Sequence, residues 1–203
     1  MSAYPIVIEG AAISALVVGG GRVAERKIRP LLDAGARIHV VAPVVTDEIE
    51  KLATQSDALR LTRSTYSRSH IQGVTLVIAA TNDPAMNATI ASDARTAGAL
   101  VNVVDRPELG DFMTPALHRC GEIVVAVSAG GVPNAAVRIR DAIGRVVDGR
   151  YATAVQELAA LRRALIASGN RERWAEAAAA LVGEDFCERV ESGDFGAGIA
   201  EWR

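Results

Sequence analysis

Ala15-Leu16-Val17-Val18-Gly19-Gly20-Gly21-Arg22-Val23-Ala24 runs from an apolar tetrad straight into three glycines. The tetrad reads as a buried strand and the glycines as the tight turn that leaves it. The segment 23–34 that follows places Val23, Ala24, Ile28, Leu31 and Leu32 on one face at helical spacing. Gly19-x-Gly21-x-x-Ala24 therefore fits the G-x-G-x-x-G/A pattern in the context that gives it meaning, after a strand and before a helix. The first glycine permits the turn, the second lets a pyrophosphate approach the backbone, and the small Ala24 allows close helix–strand packing. The free N–H groups of the helix start then face the phosphates. A plain structural turn is the competing reading.

Outward from this stretch the chain alternates strand and helix. Pro30 predicts a kink or break in the first helix, and Gly35 fits the position just past its end. Residues 37–42 form a second strand stopped by Pro43, which completes a βαβ unit of about 30 residues. Further on, 46–53 reads as a short helix, 59–62 as a strand and 74–80 as a strong buried strand. Asp83 is placed to cap a helix over 84–97, with Pro84 at its first position. Residues 100–104 form the next strand, and Asp105 stands at its C-terminal end. The first ~110 residues thus predict a parallel, doubly wound sheet. After Leu109 the character changes. Residues 123–127 read as a strand leading to Ser128-Ala129-Gly130-Gly131, 134–147 as a helix, and 152–167 and 171–181 as two amphipathic helices. The glycine-bearing tail 193–203 is expected to fray.

Composition narrows the classes. Half of the 203 residues are hydrophobic and few are aromatic, so the core must be built from Ala, Val, Leu and Ile, which suits an α/β layered fold. The net charge of −2 gives no pull toward nucleic acid or an anionic membrane. Cys120 and Cys187 lie far apart without CxxC spacing, which speaks against a structural zinc site or a disulfide framework. No basic segment followed by an apolar core opens the chain, and no apolar run reaches about 18 residues. A cytoplasmic, soluble protein with no membrane span is the expectation.

Several residues invite a chemical reading. NAD-binding folds usually hold the ribose with an acid at the end of the second strand. Here that region is Val40-Val41-Ala42-Pro43-Val44, with no carboxylate before Asp47. Backbone groups or residues from elsewhere must hold the ribose, and the choice between NAD and NADP stays open. Asp105 can accept a proton at the ligand crevice, or it can be a turn former ahead of Pro107. His39, His70 and His118 share no metal-ligand spacing, and no metal ligand is assigned. His39 is expected to point from its strand into solvent. His118 lies near the change of character and has a modest claim on a site. Ser128 can bind an anion or simply open a turn. Tyr66-Ser67-Arg68-Ser69-His70 lacks the lysine of the Tyr-x-x-x-Lys pair, which disfavours a short-chain dehydrogenase.

Five stretches together resemble the precorrin-2 dehydrogenase, or siroheme synthase N-terminal, family. They are LVVGGGRVAERK (16–27), LDAGARIHVVAP (32–43), VIAATNDPAMN (77–87), VNVVDRPELGDFMTP (101–115) and IVVAVSAGG (123–131). They cover about the first 145 residues in the family's order. The resemblance implies an α/β chain with a Rossmann-type dinucleotide-binding domain over 1–114, a small α+β dimerisation segment over 115–150 and a helical C-terminal domain over 151–203. It implies an oxidoreductase that converts precorrin-2 to sirohydrochlorin with NAD, with further insertion of Fe2+ as a substrate (a lyase step) in some members, and a homodimer. It assigns the cofactor to Gly19, Gly20, Gly21, Arg22, Val23, Pro43, Val44, Ala80, Thr81 and Asn102. The family's aspartate falls on Asp105, and its serine on Ser128. Arg138 and Arg140 could bind carboxylates of the substrate, or lie on a solvated helix face; His118 joins them as a substrate candidate. The family's GG-x-SP reads Gly130-Gly131-Val132-Pro133-Asn134 here, so its second serine is absent.

Two other readings fit the same residues: an NAD-sensing regulatory module, and a chelatase without dehydrogenase activity that inserts Fe2+ or Co2+. Loss of turnover with retained NAD binding in Asp105→Ala separates the enzyme from the sensor.

Overall fold

The computed structural model describes residues 3–203. Two compact units divide the chain, Met1–Met113 and Thr114–Arg203.

The first unit is a five-stranded parallel sheet in the order β3-β2-β1-β4-β5, formed by β1 (Ser14–Val18), β2 (Arg37–Val41), β3 (Leu59–Thr62), β4 (Leu76–Ala79) and β5 (Leu100–Val103). Period-2 alternation sends neighbouring residues to opposite core layers. Ala15, Val17, Ile38, Val40 and Ile78 pack with Ala24 and Ile28 of α1 (Arg22–Asp33) and Ile49 of α2 (Asp47–Gln55). Leu16, Val18, Val77, Ala79, Val101 and Val103 pack with Ile90, Ala91 and Ala94 of α3 (Pro84–Thr96). Both sheet faces are therefore covered, which is why the strands read as unbroken apolar runs. The doubly wound α/β expectation is borne out.

Local signals explain most boundaries. Thr46 caps α2 by accepting the Ile49 N–H, and Asp83 caps α3 by accepting from Ala85 and Met86. Beyond α1, the Gly35 N–H bonds Leu32 O at 2.8 Å and the Ala36 N–H bonds Leu31 O at 3.0 Å. That paired closure needs a left-handed residue, and Gly35 supplies it at φ +83°. Three features correct the expectations. Pro30 does not break α1, which runs on to Asp33. Pro30 is exposed, so the carbonyl it leaves unbonded faces water. His39 does not point freely into solvent: it is half-buried, its Nε2 lies 2.8 Å from Thr62 Oγ1, and its ring meets His70 edge-on at 5.7 Å. Three short 3-10 turns, Gly10–Ala12, Arg68–Ile71 and Pro107–Leu109, carry no periodic signal and were not expected.

The second unit pairs β6 (Ala116–Cys120) with β7 (Ile123–Val127) as an antiparallel hairpin, packed by α4 (Pro133–Gly144). Then come α5 (Gly149–Ala167), α6 (Arg171–Leu181), α7 (Phe186–Ser192) and α8 (Phe195–Ala200). Their core joins Tyr151, Leu161, Leu165, Leu181, Val190, Phe195 and Ile199. The tail does not fray as expected. Phe195 and Ile199 are 4% and 1% exposed, and Phe195 meets the Phe186 ring edge-on at 5.3 Å. Two large apolar side chains three to four residues apart outweigh the glycines between them. No helix among the described residues is long and apolar enough to cross a membrane.

Candidate functional site

In an open parallel sheet the ligand crevice opens where the strand order reverses. Here that point lies between the C-terminal ends of β1 and β4, and the glycine turn and Ala80-Thr81 meet there. The three glycines differ in what surrounds them. Gly19 sits at φ +120°, and a Cβ on it would lie 2.1 Å from Ala80 O. A Cβ on Gly20 would lie 2.2 Å from Val44 O, so Gly20 is hemmed in by the loop that follows β2. Gly21 has nothing within 4 Å of its absent Cβ. That space is open to a ligand. Gly21 is also the N-cap of α1, and no side chain caps that end. Its open N–H groups and the positive end of the helix dipole suit an anion.

Around this turn lies a cavity of about 710 Å³, in the range of small-molecule and cofactor sites. Gly19–Gly21, Pro43, Val44, Ala80 and Thr81 line it. Of the remaining cofactor candidates, Arg22 and Val23 belong to the first turn of α1 and do not line it, and Asn102 lies inside β5. The Asn102 amide donates to Phe112 O at 2.9 Å, and its Oδ1 is buried without a partner. Thr46, Ser64, Thr65, Tyr66, Asp83 and Met86 also line the cavity and were not assigned from sequence. Met86 belongs to the first turn of α3 and the others to loops, and their approach depends on the sheet order, which no local pattern encodes. The Tyr66 hydroxyl donates to Asp93 at 2.9 Å. Burial, and then that bond, hold the phenol above its ordinary range.

Asp105 stands two residues past the end of β5 and does not itself line the cavity; Asn87 joins it to Thr81, which does. Asp105 Oδ1 accepts from Asn87 Nδ2 at 2.7 Å, and its Oδ2 lies 3.8 Å from Arg106 Nε. Arg106 is anchored in turn on the carbonyl of Pro84 at the start of α3. Asn87 is fully buried in α3 and also holds Thr81. It escaped the sequence reading because an Asn in a helix start carries no signal of what lies across the sheet.

The second unit places the other candidates apart from any common cluster. His118 Nε2 donates to Val147 O at 2.7 Å, which spends that nitrogen on structure. Arg140 bonds Asp141 at 2.7 Å and Leu117 O at 3.2 Å, tying α4 to β6. Arg138 is exposed on α4, and Ser128 is exposed at the end of β7. Among the described residues no group of three His, Cys, Asp or Glu is placed to hold a metal ion.

Fold, switch-point cavity and uncapped glycine turn define a dinucleotide-binding protein of the Rossmann class. Comparison with known proteins agrees. The profile of a family described as "Putative NAD(P)-binding" matches residues 6–116. The siroheme synthase of Nitrosomonas europaea is 39% identical over 163 residues, 80% of this chain and 34% of that protein. The siroheme synthase of Ectopseudomonas mendocina is 49% identical over 116 residues, 57% of this chain and 24% of that one. A solved structure, "SirC, precorrin-2 dehydrogenase", superposes with a TM-score of 0.76 at 28% identity, covering 98% of this chain and 100% of that one. The chain belongs to this NAD(P)-binding family, and its similarity to siroheme synthases and to a precorrin-2 dehydrogenase agrees with the sequence resemblance. It spans a quarter to a third of the length of the curated relatives it matches.

Proposed function

We propose that this chain oxidises precorrin-2 to sirohydrochlorin with NAD as the hydride acceptor. The observation that carries the reading is the placement of Asp105, which hangs from the rim of the glycine-turn cavity through Asn87 and Thr81. The residues present fit a dinucleotide. Gly21 leaves open space at an uncapped helix start for the pyrophosphate, and Pro43, Val44 and the Ala80-Thr81 strand end wall the cavity.

Dehydrogenation removes a hydride and a proton from the macrocycle. NAD, when bound, takes the hydride. Asp105 takes the proton, as a carboxylate with one oxygen held by Asn87 and the other beside Arg106. Of the residues assigned to substrate carboxylates, the exposed Arg138 suits the role best, because His118 and Arg140 already hold backbone carbonyls. A subsequent Fe2+ insertion would use the tetrapyrrole nitrogens as ligands and need only proton removal by the protein. The segment 115–150 exposes Val124, Val137, Ile139 and Val146, apolar residues that a homodimer contact would cover. A cytoplasmic location accords with a reaction that draws on free NAD.

An anaerobic incubation with precorrin-2 and NAD tests the reading. Absorbance is followed to the sirohydrochlorin spectrum, and Fe2+ is then added. The expected result is NAD-dependent conversion at the first stage. No spectral change at either stage contradicts both the dehydrogenase and the chelatase reading.

A further inference from the structure

Resting on the assignment of Asp105 as the proton acceptor, we infer that Asn87 is the positioning residue for that carboxylate, joining it to the rim of the cofactor cavity. Asn87 is fully buried at 0% exposure, and most buried side-chain amides find partners for their hydrogen-bonding groups. Its Oδ1 accepts the Thr81 backbone N–H at 3.1 Å, with the Thr81 hydroxyl at 2.7 Å. Its Nδ2 donates to Thr81 O at 3.2 Å and to Asp105 Oδ1 at 2.7 Å. A backbone N–H can only donate and a backbone carbonyl can only accept, so Thr81 fixes which end of the amide is which. A flipped amide would set oxygen against oxygen at Thr81 and at Asp105. Only an N–H can therefore face Asp105, and that N–H holds the carboxylate oxygen in place.

The anchors are as firm as the amide. Asn87 lies in the first turn of α3, whose N-terminus Asp83 caps. Thr81 follows the end of β4 and lines the cofactor cavity. One side chain thus links the helix start, the cavity rim and the acceptor at the end of β5. The second Asp105 oxygen lies near Arg106 Nε, whose guanidinium is held by Pro84 O on the same helix start. Both groups beside the Asp105 carboxylate are thus tied to the start of α3.

Asn87→Asp provides the test in the full-length protein with precorrin-2 and NAD. The variant keeps the acceptor for the Thr81 N–H and replaces the donor facing Asp105 with a second carboxyl oxygen. Two carboxyls in contact hold a proton between them. The acidic limb of the kcat profile should therefore move to higher pH by about one unit or more. Asn87→Ala, smaller and free of that added charge, should lower kcat by about 10- to 100-fold, well beyond any change in KM for NAD. An acidic limb that stays in place in Asn87→Asp, with kcat lowered or not, overturns the inference. So does a loss in Asn87→Ala that falls equally on kcat and on KM. Asp105→Ala is measured alongside. If it is inactive while Asn87→Asp behaves as wild type, only the role of Asn87 falls. If Asp105→Ala turns over normally, the assignment of the proton acceptor falls first. Should Asn87→Asp fail to fold by circular dichroism, the kcat-against-KM split in Asn87→Ala decides alone.

Discussion

Gly19 and Gly21 stand two residues apart and should answer substitution in opposite ways. A methyl group on Gly19 would collide with Ala80 O and strain a backbone at φ +120°. Gly19→Ala should lose about 2–4 kcal/mol and lower Tm by roughly 5–15 °C. Gly21→Ser adds its side chain in open space at a helix N-cap that lacks a capping side chain. It should leave Tm within about 2 °C of wild type yet weaken NAD binding at least about tenfold, because its hydroxyl takes the N–H groups that the pyrophosphate needs. Paired thermal melts and NAD titrations read both effects. His39 gives a pH effect. Burial, then Arg60 and His70, hold its pKa below the ordinary histidine value. The unfolded chain therefore binds more protons near the ordinary value of about 6.5. Stability from neutral His39 is complete above that pH and is lost as pH falls through it toward the lower folded pKa. Melts from pH 7.5 to 5 should show a shallower decline in His39→Gln than in wild type.

Elements were legible where a period or a cap announces them. The strands around Gly19, the α2 and α3 caps and Gly35 all follow from residues adjacent in sequence. Elements defined by a distant partner were not. The mixed polarity of Ala116-Leu117-His118-Arg119-Cys120 hides β6, which exists because β7 pairs with it. Glycines at 193, 196 and 198 hide α8, although Phe195 and Ile199 fill the helical core. Phe195→Ala should consequently cost about 3–5 kcal/mol, read as a lower urea midpoint for a tryptophan-fluorescence transition, since Trp174 and Trp202 pack against the same core. A frayed tail would leave that midpoint unchanged. Pro30 teaches the converse lesson: a residue that breaks a buried helix is tolerated where its missing bond faces water.

At the scale of the molecule, the sheet order β3-β2-β1-β4-β5 converts separate motifs into one site. The glycine turn, Pro43-Val44 and Ala80-Thr81 are far apart in sequence, yet all line the cavity because their strands end on the same edge of the sheet. The family resemblance named these residues. It did not name Asn87, the Ser64–Tyr66 wall or the bonds that occupy His118 and Arg140, because those depend on contacts across the fold. The homodimer proposed from segment 115–150 predicts a solution mass about twice the 21.3 kDa of one chain, measurable by light scattering; a monomer at working concentration would contradict it. The most direct measurement for the dehydrogenase reading is single-turnover oxidation of precorrin-2 by NAD in wild type and Asp105→Ala, with NAD affinity determined for both. Wild-type conversion, a loss of about 100-fold or more in Asp105→Ala and NAD affinity unchanged within about threefold are expected. Conversion by Asp105→Ala at the wild-type rate would contradict it.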